Sequence, residues 1–370
     1  MLSGRPLDEA NPVLDTSLSI PGARARVAVI SEPLSKLGLA YSFRRHRDTP
    51  WTFPLFIKNR MINSLASGLL SFLFDNSRAV LFAGTRSSGK TSIMGASLLE
   101  IMKKYRIIII EDTEEINVDI MRNLGYNIQS MSVRSALSKS STEVSANEGI
   151  RTALRLGDSA LVIGEVRSDE AISLYEAMRI GAAANVVTGT IHGDSPYGVF
   201  DRVVNDLKVP KTSFKATDII VISNPIKSPD GIHKLKRVLS ITEIRKHWRD
   251  DPMQEGGFVN LMEYSAKEDV LKPSNTLLVG ESEVLNDIAN RVREWKGRWD
   301  NVWDNINLRT NIMSTLVEYG KLKPQLLEAE FIVKSNSAFH LLSENAIKEV
   351  GSIDSKMIYD KWLKWMKSSV

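Results

Sequence analysis

The chain has 370 residues, of which 43% are hydrophobic and 25% are charged, as in ordinary globular proteins with a core of full size. Because it contains no cysteine, disulfides, thiolate metal sites and cysteine catalysis are excluded. Its 48 basic and 44 acidic residues leave a net charge of only +4, so the composition predicts no direct binding of nucleic acid.

Membrane-spanning segments are not expected, because no run reaches the roughly 18 to 20 apolar residues that a span needs. The longest apolar candidates, Leu69–Phe74 and Ile107–Ile110, are far shorter. Residues 1–11 carry no apolar signal core. We therefore expect a cytoplasmic protein that works at a membrane only through a partner.

Turn-forming residues and short alternating runs fill residues 1–48, and runs such as Arg24–Ile30 are typical of strands. Asp48-Thr49-Pro50 interrupts this pattern. Apolar residues between 55 and 74 then recur at helical spacing. The sequence predicts a partial, strand-containing N-terminal domain over 1–48, followed by a linker and helix over 49–78.

From residue 79 onward, short apolar runs alternate with helical stretches of 10 to 15 residues. This pattern indicates βαβ units around a mainly parallel sheet that is buried on both faces, so the fold class is α/β. The predicted strands are Ala79–Ala83, Ile107–Glu111, Ala160–Val166, Val186–Ile191 and Ile219–Ser223, and the predicted helices are 90–104, 143–156, 168–181 and 196–207.

A small β addition is expected after the α/β core, at Lys234–Arg245 and Phe258–Leu271, and helices follow at 282–294, around 310–330 and at 338–350. Tryptophans in this last region alternate with basic residues, a pattern that fits either a nucleic-acid surface or amphipathic helices packed on the core. We favour packing. These tryptophans are Trp295, Trp299, Trp303, Trp362 and Trp365.

A phosphate-binding loop is predicted at Gly84–Thr91, which matches GxxxxGK[ST] between a strand and a helix. The glycines let backbone N–H groups converge on phosphate oxygens, and the helix N-terminus adds partial positive charge. Lys90 would contact the β- and γ-phosphates of ATP, and the Thr91 hydroxyl would ligate Mg²⁺. The predicted nucleotide-binding residues are Gly84, Thr85, Arg86, Ser87, Ser88, Gly89, Lys90, Thr91 and Ser92.

Acidic residues end two of the predicted strands, at Glu111-Asp112 and at Glu165, and His192 follows a third. Ligands bind at this carboxyl edge in open α/β sheets, so we expect these four side chains near the loop as catalytic residues. Glu165 is the candidate for activating the attacking water, and His192 is the candidate for sensing the γ-phosphate. With five histidines in the chain and no ligand spacing, a zinc site is not expected.

In order and spacing, these motifs resemble the secretion-motor ATPases of the type II and type IV pilus systems, and above all their archaeal branch, which includes archaellum-type motors. Gly84–Thr91 is similar to that family's Walker A motif, and Glu111–Glu115 is similar to its Asp box. Gly164–Arg167 resembles its atypical Walker B motif. Thr190–Ser195, with Arg202, resembles its His box.

The resemblance implies a homo-hexameric ring whose RecA-like P-loop domain covers residues 79–250, with residues 251–370 forming the β addition and a helical C-terminal region. It implies that Met1 lies within the last part of the family's N-terminal domain and that ATP binds between the two domains. It also implies that four arginines sense the phosphates: Arg26, Arg44, Arg167 and Arg202. Glu115 is implied as a second Mg²⁺ ligand beside Thr91.

The function favoured by these patterns is an ATP-hydrolysing motor at the cytoplasmic face of a membrane, powering pilus-like assembly or protein secretion. The resemblance implies a polytopic membrane platform protein as its partner, with pilin-like or secreted substrates acted on indirectly. Two alternatives stay open: a DNA-translocating ring of a conjugation or uptake system, and a scaffold that binds ATP without hydrolysis.

Overall fold

The computed structural model describes residues 6–20, 23–133, 144–157, 159–168, 170–180, 186–228 and 230–369. Its first element is an antiparallel three-stranded sheet with β2 in the centre, formed by β1 (Val13–Ile20), β2 (Ala23–Ile30) and β3 (Ala40–His46). This sheet supplies the strands expected in the N-terminal region.

The single helix expected over 55–74 is two helices, α1 (Phe53–Lys58) and α2 (Ser64–Asp75). The Thr52 hydroxyl accepts a hydrogen bond from Leu55 N, and the Asn63 side chain accepts one from Ala66 N. Because each N-cap marks the start of a helix, the two caps show that two helices begin here. Arg60 lies between the helices with a φ of 57°, which is incompatible with a continuous right-handed helix.

Nine strands form the second sheet within the described residues, in the order β12-β11-β10-β9-β4-β8-β7-β5-β6. The six strands from β9 to β6 run parallel, and β10, β11 and β12 extend the sheet antiparallel from β9. These strands are β4 (Ala79–Gly84), β5 (Arg106–Glu111), β6 (Asn127–Ser132), β7 (Ser159–Val166), β8 (Val187–His192), β9 (Ile219–Lys227), β10 (Lys234–Ile244), β11 (Phe258–Ser265) and β12 (Val270–Pro273).

Helices flank this sheet on both faces, which confirms the predicted α/β class. They are α3 (Lys90–Leu98), α4 (Val118–Asn123), α5 (Ala146–Ala153), α6 (Glu170–Ile180), α7 (Pro196–Asp201), which continues into a π-helical turn at Arg202–Asp206, and α8 (Lys211–Phe214). The helix predicted over 90–104 ends at Leu98. Residues 143, 169 and 181, which the predicted helices included, lie outside the described residues.

Edge strand β6 and helix α4 were not predicted. The strand Asn-Ile-Gln-Ser-Met-Ser buries Ile128 but leaves Asn127 and Gln129 exposed, so it contains no continuous apolar run. Edge strands have only one neighbour and tolerate such polar residues, which removes the signal that revealed the central strands.

The C-terminal region contains α9 (Asn275–Leu278), α10 (Glu283–Arg291), α11 (Trp299–Tyr319), a 3₁₀ turn (Pro324–Leu327), α12 (Ala329–Val350) and α13 (Ser355–Ser368). The stretch expected around 310–330 is wrong as a single helix, because α11 ends at Tyr319 and Pro324 begins the 3₁₀ turn. Helix α13 was not predicted. No helix in the described part of the chain is both long and apolar enough to span a bilayer.

Buried apolar residues of the described chain form one cluster on each face of the large sheet. Alternate residues of β5 show this division, since Ile107 and Ile109 join one cluster while Ile108 and Ile110 join the other. The first cluster also holds residues of α1, α2, α11, α12 and α13. The five tryptophans of the C-terminal region pack in or against it, which confirms the packing interpretation: Trp295, Trp299, Trp303, Trp362 and Trp365.

Candidate active site

A cleft of about 790 Å³ lies between the three-stranded sheet and the carboxyl edge of the nine-stranded sheet. Residues of β2 and β3, such as Arg26 and Arg44, line it on one side. The opposite side carries the predicted phosphate-binding loop together with Glu165 and His192. Residues far apart in the chain therefore meet in one cavity.

Backbone geometry explains the two glycines of the loop. A Cβ on Gly84 would lie 1.9 Å from the carbonyl oxygen of Ser223, so no side chain fits where β4 passes β9. Gly89 caps α3 with a φ of 95°, in the left-handed region that favours glycine. The loop thus turns directly into the N-terminus of α3, where Thr91 and Ser92 line the cleft.

Lys90 bridges the loop, because its Nζ donates hydrogen bonds to the carbonyl oxygens of Gly84, at 3.1 Å, and Thr85, at 2.9 Å. The side chain is buried, and this burial lowers the pKa of Lys90 below its ordinary value. A lysine ammonium held over the loop is placed to attract anionic oxygens in the cleft.

Strand β9 supplies loop contacts that the sequence reasoning missed. The Thr85 amide donates to Asn224 Oδ1 at 2.8 Å, and the hydroxyls of Ser88 and Ser223 lie 3.2 Å apart. A sequence signal existed, because Asn224 directly follows the predicted strand Ile219–Ser223 at the same carboxyl edge. These contacts fix the loop against its neighbouring strand.

Glu165 stands at the centre of a group of charges. Arg167 donates to Oε2 of Glu165 and, at 2.7 Å, to Oδ2 of Asp112, while Nε2 of His192 lies 2.8 Å from Oε1 of Glu165. Burial alone would raise the pKa of Glu165, but the hydrogen bond and charge of Arg167, with the charges of His192 and Lys90, lower it. Glu165 is therefore kept as a carboxylate.

His192 is 42% exposed, and burial lowers its pKa below the ordinary value, although Glu165 opposes that shift. Arg202, in the π-helical turn, does not line the cleft but contributes charge that lowers the pKa of His192.

Glu111 is placed differently from Glu165, because it is only 3% exposed and does not line the cleft. Its Oε1 accepts hydrogen bonds from the backbone amides of Glu115, at 3.1 Å, and Ile116, at 3.3 Å. Burial raises the pKa of Glu111 to about 8. Gly164 is needed above it, since a Cβ there would lie 2.8 Å from Cγ of Glu111.

Arginines of the three-stranded sheet reach the core across the cleft. Arg26 donates to Asp15 at 3.0 and 2.6 Å and to Oε1 of Glu115 at 2.9 Å. Arg44 donates to the Ser87 hydroxyl at 3.2 Å and lies 3.7 Å from Glu115. The two predicted arginines of this sheet thus line the cleft, and Glu115 pairs with both.

Within the described ranges, no group of three or more His, Asp or Glu side chains is placed to hold a metal ion. The Thr91 hydroxyl at the start of α3 nevertheless fits the Mg²⁺ of a bound nucleotide, because Mg²⁺ combines few protein oxygens with phosphate oxygens and water.

Several known proteins are similar in sequence to this chain over part of its length. An uncharacterized protein of Methanocaldococcus jannaschii is 25% identical over 248 residues, which cover 67% of this chain and 43% of that protein. The type IV secretion system protein PtlH of Bordetella pertussis is 32% identical over 111 residues, or 30% of this chain and 32% of the relative.

A further relative, from Mycobacterium tuberculosis, has a name that refers to conjugal transfer and is 26% identical over 199 residues, covering 53% of this chain and 54% of its own. The chain spans about half the length of the curated relatives it matches. Among solved structures, the ATPase DotB of Legionella pneumophila shares the fold with a TM-score of 0.50 at 13% identity, over 86% of this chain and 73% of its own.

The family model of type II/IV secretion system proteins matches residues 16–228, which is more than half of the chain. The matched region includes β2, the phosphate-binding loop, Glu165 and His192. This protein belongs to the type II/IV secretion system protein family.

Proposed function

We propose that this protein is an ATP-hydrolysing motor of a secretion or pilus-type system. The observation that carries the proposal is the meeting in one cleft of Lys90, the first residue of α3, and Glu165, near the end of β7. Lys90 offers a cation where phosphates would bind, and Glu165 offers a carboxylate that can orient water. Family membership supports the same activity.

The proposal gives each cleft residue a role. The amides of residues 86–91, which line the cleft, and the Lys90 ammonium hold the phosphates, and Arg26 and Arg44 approach them from the opposite wall. The predicted Gly84 and Thr85 do not line the cleft, and the Thr85 amide is taken by Asn224. Mg²⁺, held by Thr91, would neutralise charge on the transferred phosphoryl group. Glu165 orients the attacking water, while Arg167 keeps this carboxylate and Asp112 in place.

His192 senses the γ-phosphate through its contact with Glu165, and Arg202 acts on His192 by charge alone. Glu111 fixes the backbone of residues 115 and 116, so we assign it a positioning role rather than contact with the nucleotide.

As a motor, the protein would work as a homo-hexamer against a polytopic membrane platform protein, peripheral to the cytoplasmic face of the membrane. The two facing walls of the cleft support this idea, because ligand-driven closure of such walls would convert binding into displacement. Pilin-like or secreted proteins would be moved indirectly. Sedimentation with ATP tests the hexamer directly.

Steady-state ATPase assays of wild type, Lys90→Ala and Glu165→Gln test the active site. We expect each substitution to lower hydrolysis at least about 100-fold, because Lys90→Ala removes the cation that faces the phosphates and Glu165→Gln removes the carboxylate that orients the attacking water. Lys234→Ala, which removes an exposed lysine at the start of β10, is the matched control and should hydrolyse like wild type. Wild-type rates in both cleft variants would refute the assignment.

A DNA-translocating ring is the second candidate, favoured by the relative whose name refers to conjugal transfer. The same assay separates the two, since DNA that stimulates hydrolysis with a steep dependence on salt supports translocation. ATP binding without phosphate release, even with the membrane platform present, would instead support a non-hydrolysing scaffold.

A further inference from the structure

Glu115 joins the two walls of the cleft. It belongs to the loop after β5, and its side chain is 16% exposed. Its Oε1 lies 2.9 Å from Nη1 of Arg26 and 3.7 Å from Nη1 of Arg44, so one carboxylate pairs with an arginine of β2 and an arginine of β3. This pairing was not expected from the sequence.

The position of Glu115 is itself fixed by the core. Its backbone amide donates to the buried Glu111, as does the next amide, of Ile116. Arg24, from β2, donates to the Ile116 carbonyl at 3.4 Å. Because the Glu115 and Ile116 amides are hydrogen-bonded to Glu111, the reach of the Glu115 carboxylate is limited if the arginines move toward the loop.

The N–H groups that Glu115 holds are the ones a phosphate would need. Asp15 takes Nε and Nη2 of Arg26, which leaves the Nη1 edge for Glu115. Arg44 also touches the Ser87 hydroxyl of the phosphate-binding loop, at 3.2 Å. A carboxylate and a phosphate are both anions that match the guanidinium fork, so they compete for it.

We propose that Glu115 is a positioning residue that holds Arg26 and Arg44 and competes with the nucleotide phosphates for them. This inference rests on the proposed function, because it requires that the cleft bind ATP. It replaces the Mg²⁺-ligand role that the family resemblance implied for Glu115. When phosphates bind, Arg26 and Arg44 would leave the Glu115 carboxylate and contact the nucleotide instead. Nucleotide binding would in this way be coupled to movement of the three-stranded sheet that carries the two arginines.

Equilibrium binding of a fluorescent ATP analogue, with Mg²⁺ and with EDTA, tests the inference on Glu115→Gln. We expect binding about 2- to 5-fold tighter under both conditions, since a partly exposed ion pair that opposes binding is removed. Glu114→Gln removes the same charge from the neighbouring, exposed residue and should leave the affinity within about twofold of wild type. In an Arg26→Gln background, Glu115→Gln should lose most of its effect.

Weaker binding by Glu115→Gln with Mg²⁺ but not with EDTA would show a metal ligand and overturn the inference, as would unchanged affinity. Thermal melts establish that the variant folds. Glu115→Asp, whose side chain is one methylene shorter, is a second variant that should shift the affinity in the same direction. If wild type binds no ATP, or Lys90→Ala binds equally well, the proposed function fails instead.

Discussion

Single residues at this site have roles set by burial as much as by chemical type. Glu111 and Glu165 are both glutamates at strand ends, yet burial raises the pKa of Glu111 to about 8 while Arg167, His192 and Lys90 lower that of Glu165. One carboxyl group is therefore buried under a loop and the other is a carboxylate in the cleft.

The raised pKa of Glu111 makes stability depend on pH. A carboxyl group whose pKa is higher in the folded chain favours folding when protonated, so its contribution is complete below about 4.5 and lost as the pH rises toward about 8. We expect Glu111→Gln to gain stability relative to wild type across this window, by at most about 1.4 kcal/mol per pH unit.

Denaturant unfolding of Glu111→Gln and wild type at several pH values measures that difference. Glu114→Gln, at an exposed neighbour, should track wild type. A difference between Glu111→Gln and wild type that does not change with pH would contradict the prediction.

At the scale of elements, close approach of α2 to α11 fixes the helical layer on the large sheet. A Cβ on Gly68 would lie 2.4 Å from Thr310 Oγ1 and 2.8 Å from the carbonyl oxygen of Ile306. Arg309 strengthens the same contact through Asp75 at 2.5 Å and the Ser71 hydroxyl at 2.9 Å. The missing side chain of Gly68 thus lets the two helices approach closely, and a largely buried ion pair between Arg309 and Asp75 connects them.

We expect Gly68→Ala to destabilise the protein by about 1–3 kcal/mol, because the added methyl forces α2 and α11 apart. Gly95→Ala is the matched control within α3, where an added Cβ meets no atom within 4 Å. That change should stabilise by about 0.5–1 kcal/mol, since alanine loses less backbone entropy than glycine in a helix. Denaturant unfolding measures both, and equal signs for the two variants would contradict this account.

At the scale of the whole molecule, the C-terminal helices belong to the same apolar cluster as one face of the sheet. Trp362 of α13 is completely buried, and its Nε1 donates to the Ser335 hydroxyl of α12 at 3.0 Å. Because the cluster is continuous from Phe82 of β4 to Trp362, the helical region is expected to unfold together with the nine-stranded sheet.

Trp362→Ala should therefore lower the free energy of unfolding by about 3–5 kcal/mol, the cost of a large cavity. The helical circular dichroism signal and the binding of the ATP analogue should both be lost at the same denaturant concentration. Trp365→Ala, at a partly buried position beside Phe331, should cost less. Loss of the helices at a lower denaturant concentration than loss of binding would show that they are an independent unit.

Central strands and the phosphate-binding loop could be predicted because their signals are local. Strands such as β5 are buried on both faces and form continuous apolar runs. The loop glycines occupy positions where a side chain would clash or where the backbone φ favours glycine. Strand β6 lacked such a run, and the division of 55–74 into two helices depended on caps within the pattern. The boundaries at 48, 78 and 250 remain a proposal.

Sequence alone determined the α/β class, the position of the loop Gly84–Thr91 between a strand and a helix, and the set of charged residues at strand ends, because apolar periodicity and backbone sterics act over a few neighbouring residues. Only the tertiary structure decided which of those charges meet. It buried Glu111, left Glu165 in the cleft and paired Glu115 with Arg26, which lies 89 residues earlier in the chain. Electrostatic interactions and burial depend on distance in space, which no local pattern encodes.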